Sequence, residues 1–310
     1  MKKELTTGNV FGTLLSFSIP YFFSCFLQTL YGMADLYIVG QFNAVESTTA
    51  VSIGSQMMHM ITVMIVGLAM GTTVSIGHET GAKNEKQVLV TIGNTVTLFL
   101  SLSVAAAVLL TLCIDPIVNA MSTPAEAVNS TVTYLTICFI GIPFITAYNI
   151  ISSVFRGMGD SRSPMYFIAV ACISNIVLDY IFIGALGMGA AGAALGTTLS
   201  QTISVGAALF RIKTDSGMRH IRLASGDLKP KRAVMGKLLS IGVPVAVQDG
   251  FIQISFLLIT IIANKRGLFD AAAVGVVEKI IGILFLVPSS LLSAVSALAA
   301  QNIGAGKKER

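Results

Sequence analysis

The sequence predicts an all-α protein embedded in a membrane, and three observations carry that expectation. Hydrophobic residues make up 54% of the 310 residues and charged residues 11%, where a soluble domain has about a quarter charged. The mean hydropathy is +0.81, more apolar surface than one or two globular cores hide. Apolar runs of about 20 residues, enough to cross a bilayer as a helix, recur along the chain, while alternation of period two is sustained nowhere. That argues against a transmembrane barrel, and composition of this kind excludes soluble enzymes, nucleic-acid binders and disordered chains.

Eight spans are expected, at 11–39, 50–76, 88–114, 132–155, 165–186, 190–210, 238–263 and 271–300. The first is too long for the core of a secretory signal, and no small-residue cleavage site follows it. Lys and Arg set the expected orientation. With the N-terminus in the cytoplasm of a multi-pass plasma-membrane protein, 17 of the 20 basic residues fall in inner segments, including Lys83, Lys86, Arg156, Arg162, Lys237 and Lys307. The outer loops hold Lys265 and Arg266, and Lys279 lies within a span. The net charge of +5 is therefore a topology signal and no nucleic-acid footprint. Cys25, Cys113, Cys138 and Cys172 sit in apolar stretches without metal or redox spacing and read as buried hydrophobes.

The longest hydrophilic stretch, 211–237, is basic and divides the chain. An internal repeat flanks it. LLSFSIP (14–20) returns as LLSIGVP (238–244), FLQ (26–28) as FIQ (251–253), and TGAKNEK (80–86) as IGAGKKE (303–309), all at nearly one offset. Repeats in helices of like direction predict two six-helix lobes related by a parallel repeat. Residues 1–211 are expected to form the first lobe, 212–237 a cytoplasmic linker, and 238–310 two helices of an incomplete second lobe. On that reading the chain is a C-terminally truncated form of a twelve-span protein. Pro20 and Pro244 occupy matching repeat positions and predict hinges.

Ionisable residues at bilayer depth cost at least a few kcal/mol each, so they mark function. Five are present: Asp35, Asp179, Asp249, Glu278 and Lys279. Asn175 precedes Asp179 by one helical turn, and Ala193 and Thr197 have the same spacing on span six. A short connection rich in glycine (Gly184, Gly187, Gly189, Gly192) lets these two helices pack closely. Two carboxylates, an amide oxygen and a hydroxyl suit Na⁺, or an acid pair that shares a proton. Spacing alone leaves open an interhelical hydrogen-bond network that merely fastens the helices, and for Asp35 a hydrated acid near the outer surface. The repeat sets Ile259 or Thr260 opposite Asp35, so ion handling is expected in the first lobe. Asp249 and Gln253 share a face of span seven, and adjacent Glu278 and Lys279 diverge on span eight. For these, an Asp249–Lys279 ion pair and a substrate contact are both open. His59 and the methionines read as packing residues. No nucleophile motif, phosphate loop or metal-ligand cluster is present, so neither a catalytic residue nor a cofactor beyond the coupling ion is expected.

Together YGMADLYIVGQF (31–42), GHETGAKNEK (77–86), FRGMGDSRSPM (155–165), SNIVLDYIFI (174–183) and GAAGAALGTTLSQ (189–201) resemble the multidrug and toxic compound extrusion (MATE) family over the whole chain. The resemblance implies two six-helix lobes around a cleft with alternating access driven by Na⁺ or H⁺. It also implies that Asp35, Asn175, Asp179 and Thr197, with Ala193 beside them, match that family's cation site in the first lobe. Gln28, Asp249, Gln253, Glu278 and Lys279 are the candidate cavity or ion-pair residues. Some members carry an acid eight residues after the span-seven proline; here that position is Ile252. The expected activity is export of bulky, amphipathic, often cationic drug-like compounds by a monomer in the lipid bilayer. Two alternatives stand against it. A lipid-linked oligosaccharide flippase of the same superfamily would carry several basic cavity residues, where this chain has Lys279. A non-transporting membrane protein or inactive gene fragment is the reading from another class.

Overall fold

The computed structural model describes residues 5–214, 224, 226–266 and 268–310; the side chains of Glu278 and Lys279 lie outside the described residues. The described chain is helical: α1 (Val10–Phe42), α2 (Val45–Gly81), α3 (Glu85–Leu112), a short α4 (Ile114–Ala120), α5 (Val128–Gly157), α6 (Arg162–Asp179), α7 (Gly189–Thr214), α8 (Arg232–Arg266) and α9 (Leu268–Gly304). All but α4 contribute to eight stretches long and apolar enough to cross a membrane, in agreement with the eight expected spans. Helices are the form such spans must take, because a hydrocarbon layer offers no partner to an unpaired backbone group.

Local chemistry sets where helices begin. Asn9 Oδ1 accepts from Gly12 N at 3.1 Å, and Asn84 Oδ1 accepts from Gln87 N at 3.2 Å, so each asparagine caps a helix start. Before α6, Asp160 Oδ1 accepts from the backbone N–H of both Arg162 and Ser163 at 2.9 and 3.1 Å, which explains the GDSRS sequence there. Hydroxyls inside the spans bond back to their own helix, as Ser24 Oγ does to Pro20 O at 2.9 Å. Pro20 and Pro244 lie within the unbroken α1 and α8, and Pro143 and Pro288 lie within α5 and α9.

α5 is the central and most buried span, and it packs on α2, α3 and α7. One apolar cluster fills the space around Tyr134, Phe139, Ile38 and Ala193. A second gathers Phe155, Phe167, Ile168 and Ile76, with the Phe155 and Phe167 rings edge-on at 5.4 Å. α1 packs on α6 and α9; α8 packs mainly on α2, with smaller contacts to α9 and α3. Phe251, Leu258 and Ile262 on the distal half of α8 stay exposed.

Lys83, Lys86, Arg162, Lys307 and Lys308, in loops or in the first turns of helices, share one end of the bundle, the basic end. Here α2 and α9 cross with their backbones touching. A side chain at Gly81 would fall on the carbonyl of Gln301, and one at Gly304 on the carbonyl of His78. His78 and Gln301 are as far apart in sequence as Gly81 and Gly304, so the two contacts are reciprocal. Only glycine permits this approach.

One expected loop charge lies inside the bundle. Arg156, counted above with the inner loops, belongs to the last turn of α5 and is 7% exposed. Its guanidinium stacks 4.9 Å over the Tyr21 ring, and its Nη2 donates to Ser153 Oγ at 2.8 Å. The reason is that α5 runs past the expected span end to Gly157, which packs against Ile76 of α2. The long stem and delocalised charge of arginine suit an aromatic face.

Candidate functional site

Three helices bring the predicted polar residues together. Asp35 stands on α1, Asn175 and Asp179 on α6, and Thr197 on α7. Asp35 is 4% exposed and Asp179 and Asn175 are fully buried, so Asp35 is no hydrated surface acid. Thr197 Oγ1 donates to Asp35 Oδ2 at 3.2 Å across the α1–α7 contact. Asp179 and Asn175 also lie within interaction range of the Asp35 carboxyl. Ala193, one turn before Thr197, is buried in the apolar cluster and has no side-chain ligand to offer.

Five buried side-chain atoms of this cluster have no hydrogen-bond partner: Asp35 Oδ1, both carboxylate oxygens of Asp179, and Oδ1 and Nδ2 of Asn175. A stranded buried polar atom costs about 1–3 kcal/mol, and a charged one more. Two carboxylates facing each other without a counter-charge are costlier still. The donor set is all oxygen, from two carboxylates, an amide and a hydroxyl, which fits a small hard cation. It equally fits protons delivered to the acids. Among the described residues no group of three or more His, Cys, Asp or Glu forms a metal cluster.

Local structure explains the close assembly. Immediately after Asp179, α6 widens into a π-helical segment, Tyr180–Ala185, closed by Leu186 N donating to Ile181 O at 2.9 Å. Such segments re-aim neighbouring side chains. On α7 a side chain at Gly196 would fall on Asp179 Oδ1, so glycine lets the helix backbone lie against the carboxylate.

Sequence reading missed three contributors. Tyr31 lies one turn before Asp35, and its hydroxyl accepts from Gln201 Nε2 at 3.4 Å, one turn after Thr197. Their spacing from Asp35 and Thr197 was the available signal. Gly196 was marked by the small-residue run of α7, where Gly192 and Gly196 stand four apart. The other candidates fall elsewhere. Gln28 is half-buried on α1, and Asp249 faces α2, with its Oδ2 3.1 Å from where a Gly67 side chain would begin. Gln253 is half-buried one turn further along α8. The expected alternatives for Glu278 and Lys279, including the pair with Asp249, fall outside the described residues.

The comparisons with known proteins agree with this architecture. The MatE family model matches residues 20–181 and 244–310. The chain belongs to the MatE family. This MatE chain is 30% identical over 308 residues to the probable multidrug resistance protein YpnP of Bacillus subtilis, covering 99% of this chain and 68% of that protein. It is 28% identical to the probable multidrug resistance protein YoeA of the same organism, covering 97% and 66%. Among solved structures, a MOP superfamily transporter from Pyrococcus furiosus superposes with a TM-score of 0.90 at 24% identity, covering 99% and 68%, a likeness of fold. The MatE chain thus spans about two thirds of the length of these relatives. The family is one of multi-pass membrane transporters, not enzymes.

Proposed function

We propose that this chain provides the ion-coupling half of a secondary active exporter. Na⁺ or H⁺ entering from outside occupies the Asp35–Asp179 cluster, α1 shifts about Pro20, and the cleft releases a bulky, amphipathic, often cationic compound outward. The matching Pro244 is the hinge of α8. The protein works as a monomer in the plasma membrane with its N-terminus and basic loops in the cytoplasm, and residues 238–310 open a second lobe. The observation that carries this reading is the set of five unpartnered polar atoms around two buried carboxylates in a membrane-spanning bundle. Such a site is stable only with a cation or proton bound, so its occupancy can be exchanged for a change in shape. Two relatives are named as probable multidrug resistance proteins, which supports drug-like cargo. Net negative charge in the cluster favours cationic compounds.

Asp35→Asn and Asp179→Asn test it. Each should lower gradient-driven efflux of a cationic dye from vesicles at least about tenfold, the level of a coupling group lost, with unchanged protein in the membrane. Efflux is driven separately by a Na⁺ gradient and by a pH gradient, which identifies the ion. A double variant that still exports at the parent rate would overturn the reading.

A further inference from the structure

The first six spans meet α8 and α9 along a seam at the basic end, and its two flanks differ. On the α1 flank, Leu5, Phe17, Ala294, Ala297 and Leu298 form a buried apolar cluster. Asn302 Nδ2 also donates to Leu5 O at 3.3 Å. On the α8 flank, Lys237 Nζ stands 3.6 Å from Glu79 Oε1, and His78 Nδ1 stands 3.5 Å from the same oxygen. Beside them is a cavity of about 210 Å³ lined by Ser75, Glu79, Gln87, Thr91, Val234 and Lys237. Ser75 Oγ is buried there without a hydrogen-bond partner. Several waters fit such a space at about 30 Å³ each, and its hydroxyl, amide and charged walls can hold them.

The consequence is a difference in what parting would cost. Opening the α1 flank exposes packed hydrocarbon in proportion to its area. Opening the α8 flank parts the close α2–α8 packing at Gly67, Gly71 and Gly242 and also separates an ion pair whose partners can turn to water already at hand, the Lys237 side chain being half exposed. We propose that Glu79 and Lys237 form a releasable lock of the seam at the basic end of the α2–α8 contact. This rests on the alternating-access reading given under Proposed function.

The test measures distance, which needs no transport. Spin labels go on Lys86→Cys and Gly236→Cys, an exposed residue of α3 and an exposed glycine of α8 with open space around it, in the full chain with its four cysteines replaced. The parent should give one short distance. Glu79→Gln or Lys237→Gln should raise a longer-distance population about two- to fivefold, the shift a partly exposed ion pair commands, and the exchanged pair Glu79→Lys with Lys237→Glu should reverse it. Thermal unfolding of each variant separates a moved seam from a lost fold. Single variants with the parent's distances would overturn the lock even if efflux fell, as would an exchanged pair that stays open. An Asp35→Asn variant at full efflux would instead overturn the transport reading and leave the lock standing.

Discussion

At the Asp35–Asp179 cluster five buried polar atoms stand without hydrogen-bond partners, whereas at the α2–α9 crossing Gln301 Nε2 donates to Gly157 O at 2.8 Å and Asn302 Nδ2 to Leu298 O at 2.8 Å. Both regions bury polar side chains, and both depend on glycine for close approach. The cluster presses a backbone against a carboxylate and leaves the oxygens open. The crossing presses backbone against backbone, and its Gln301 bond fastens α9 to α5. Stranded oxygens are a cost that a bound cation removes, so the first region is suited to exchange. At the crossing the side-chain amide N–H groups of Gln301 and Asn302 are taken up, and the atoms left open, Asn302 Oδ1 and Thr80 Oγ1, carry no charge, so the second is suited to support. Burial of polar residues in a membrane bundle is thus no sign of function by itself; unpartnered carboxylates are.

Gly196 should break the cluster with the largest effect. Gly196→Ala puts a methyl group onto Asp179 Oδ1, and ion-driven efflux should fall at least about tenfold, since displacement by an ångström is enough to disable a preorganised site. Gly206→Ala, on the same helix with nothing near it, should change nothing. Vesicle efflux and ion-dependent thermal stabilisation both read this contrast. At the crossing, Gly81→Val should lower stability by about 1–3 kcal/mol through overpacking, seen as a lower unfolding temperature in detergent, while Gly40→Val leaves it near the parent value. Should Gly81→Val impair ion binding without loss of stability, the division of labour between the regions would fail.

A third variant asks whether satisfied polar groups are only supports. Asn94 is fully buried on α3, where its Oδ1 accepts from Lys231 N at 2.6 Å and its Nδ2 donates to Asp227 O at 3.3 Å. Thr97 Oγ1 donates to Leu228 O at 2.8 Å beside it. Asn94→Leu should cost about 1–2 kcal/mol by stranding these groups and speed hydrogen exchange at the Lys231 amide. The smallest effect is expected for Tyr31→Phe. It removes one long 3.4 Å bond to Gln201, so efflux should change by no more than about twofold. A larger loss would make Tyr31 a working member of the cluster.

Much of this was legible in the residues. Helix positions followed from apolar run length, because a bilayer permits no other form. Asp35, Asp179 and Thr197 were picked out since acids and their partners are rare at such depth, and helical spacing put Asn175 on the face of Asp179. Gly196 was not singled out, because a glycine in a run of small residues looks like packing until the carboxylate opposite is seen. Arg156 looked like a loop charge, because two further residues of helix do not show in hydropathy. Lys237 was counted with the inner charges, and its pairing with Glu79 is a matter of which helix lies against which.

What the sequence alone determined was the membrane, the number of spans, and the residue types able to hold a cation. Those follow from transfer free energy and from a period of 3.6, both local properties of the chain. Only the tertiary structure decided which polar groups are left without partners and which are fastened to a neighbouring backbone. That distinction depends on the approach of helices far apart in sequence, to within the length of one hydrogen bond, and no local property of the chain encodes it.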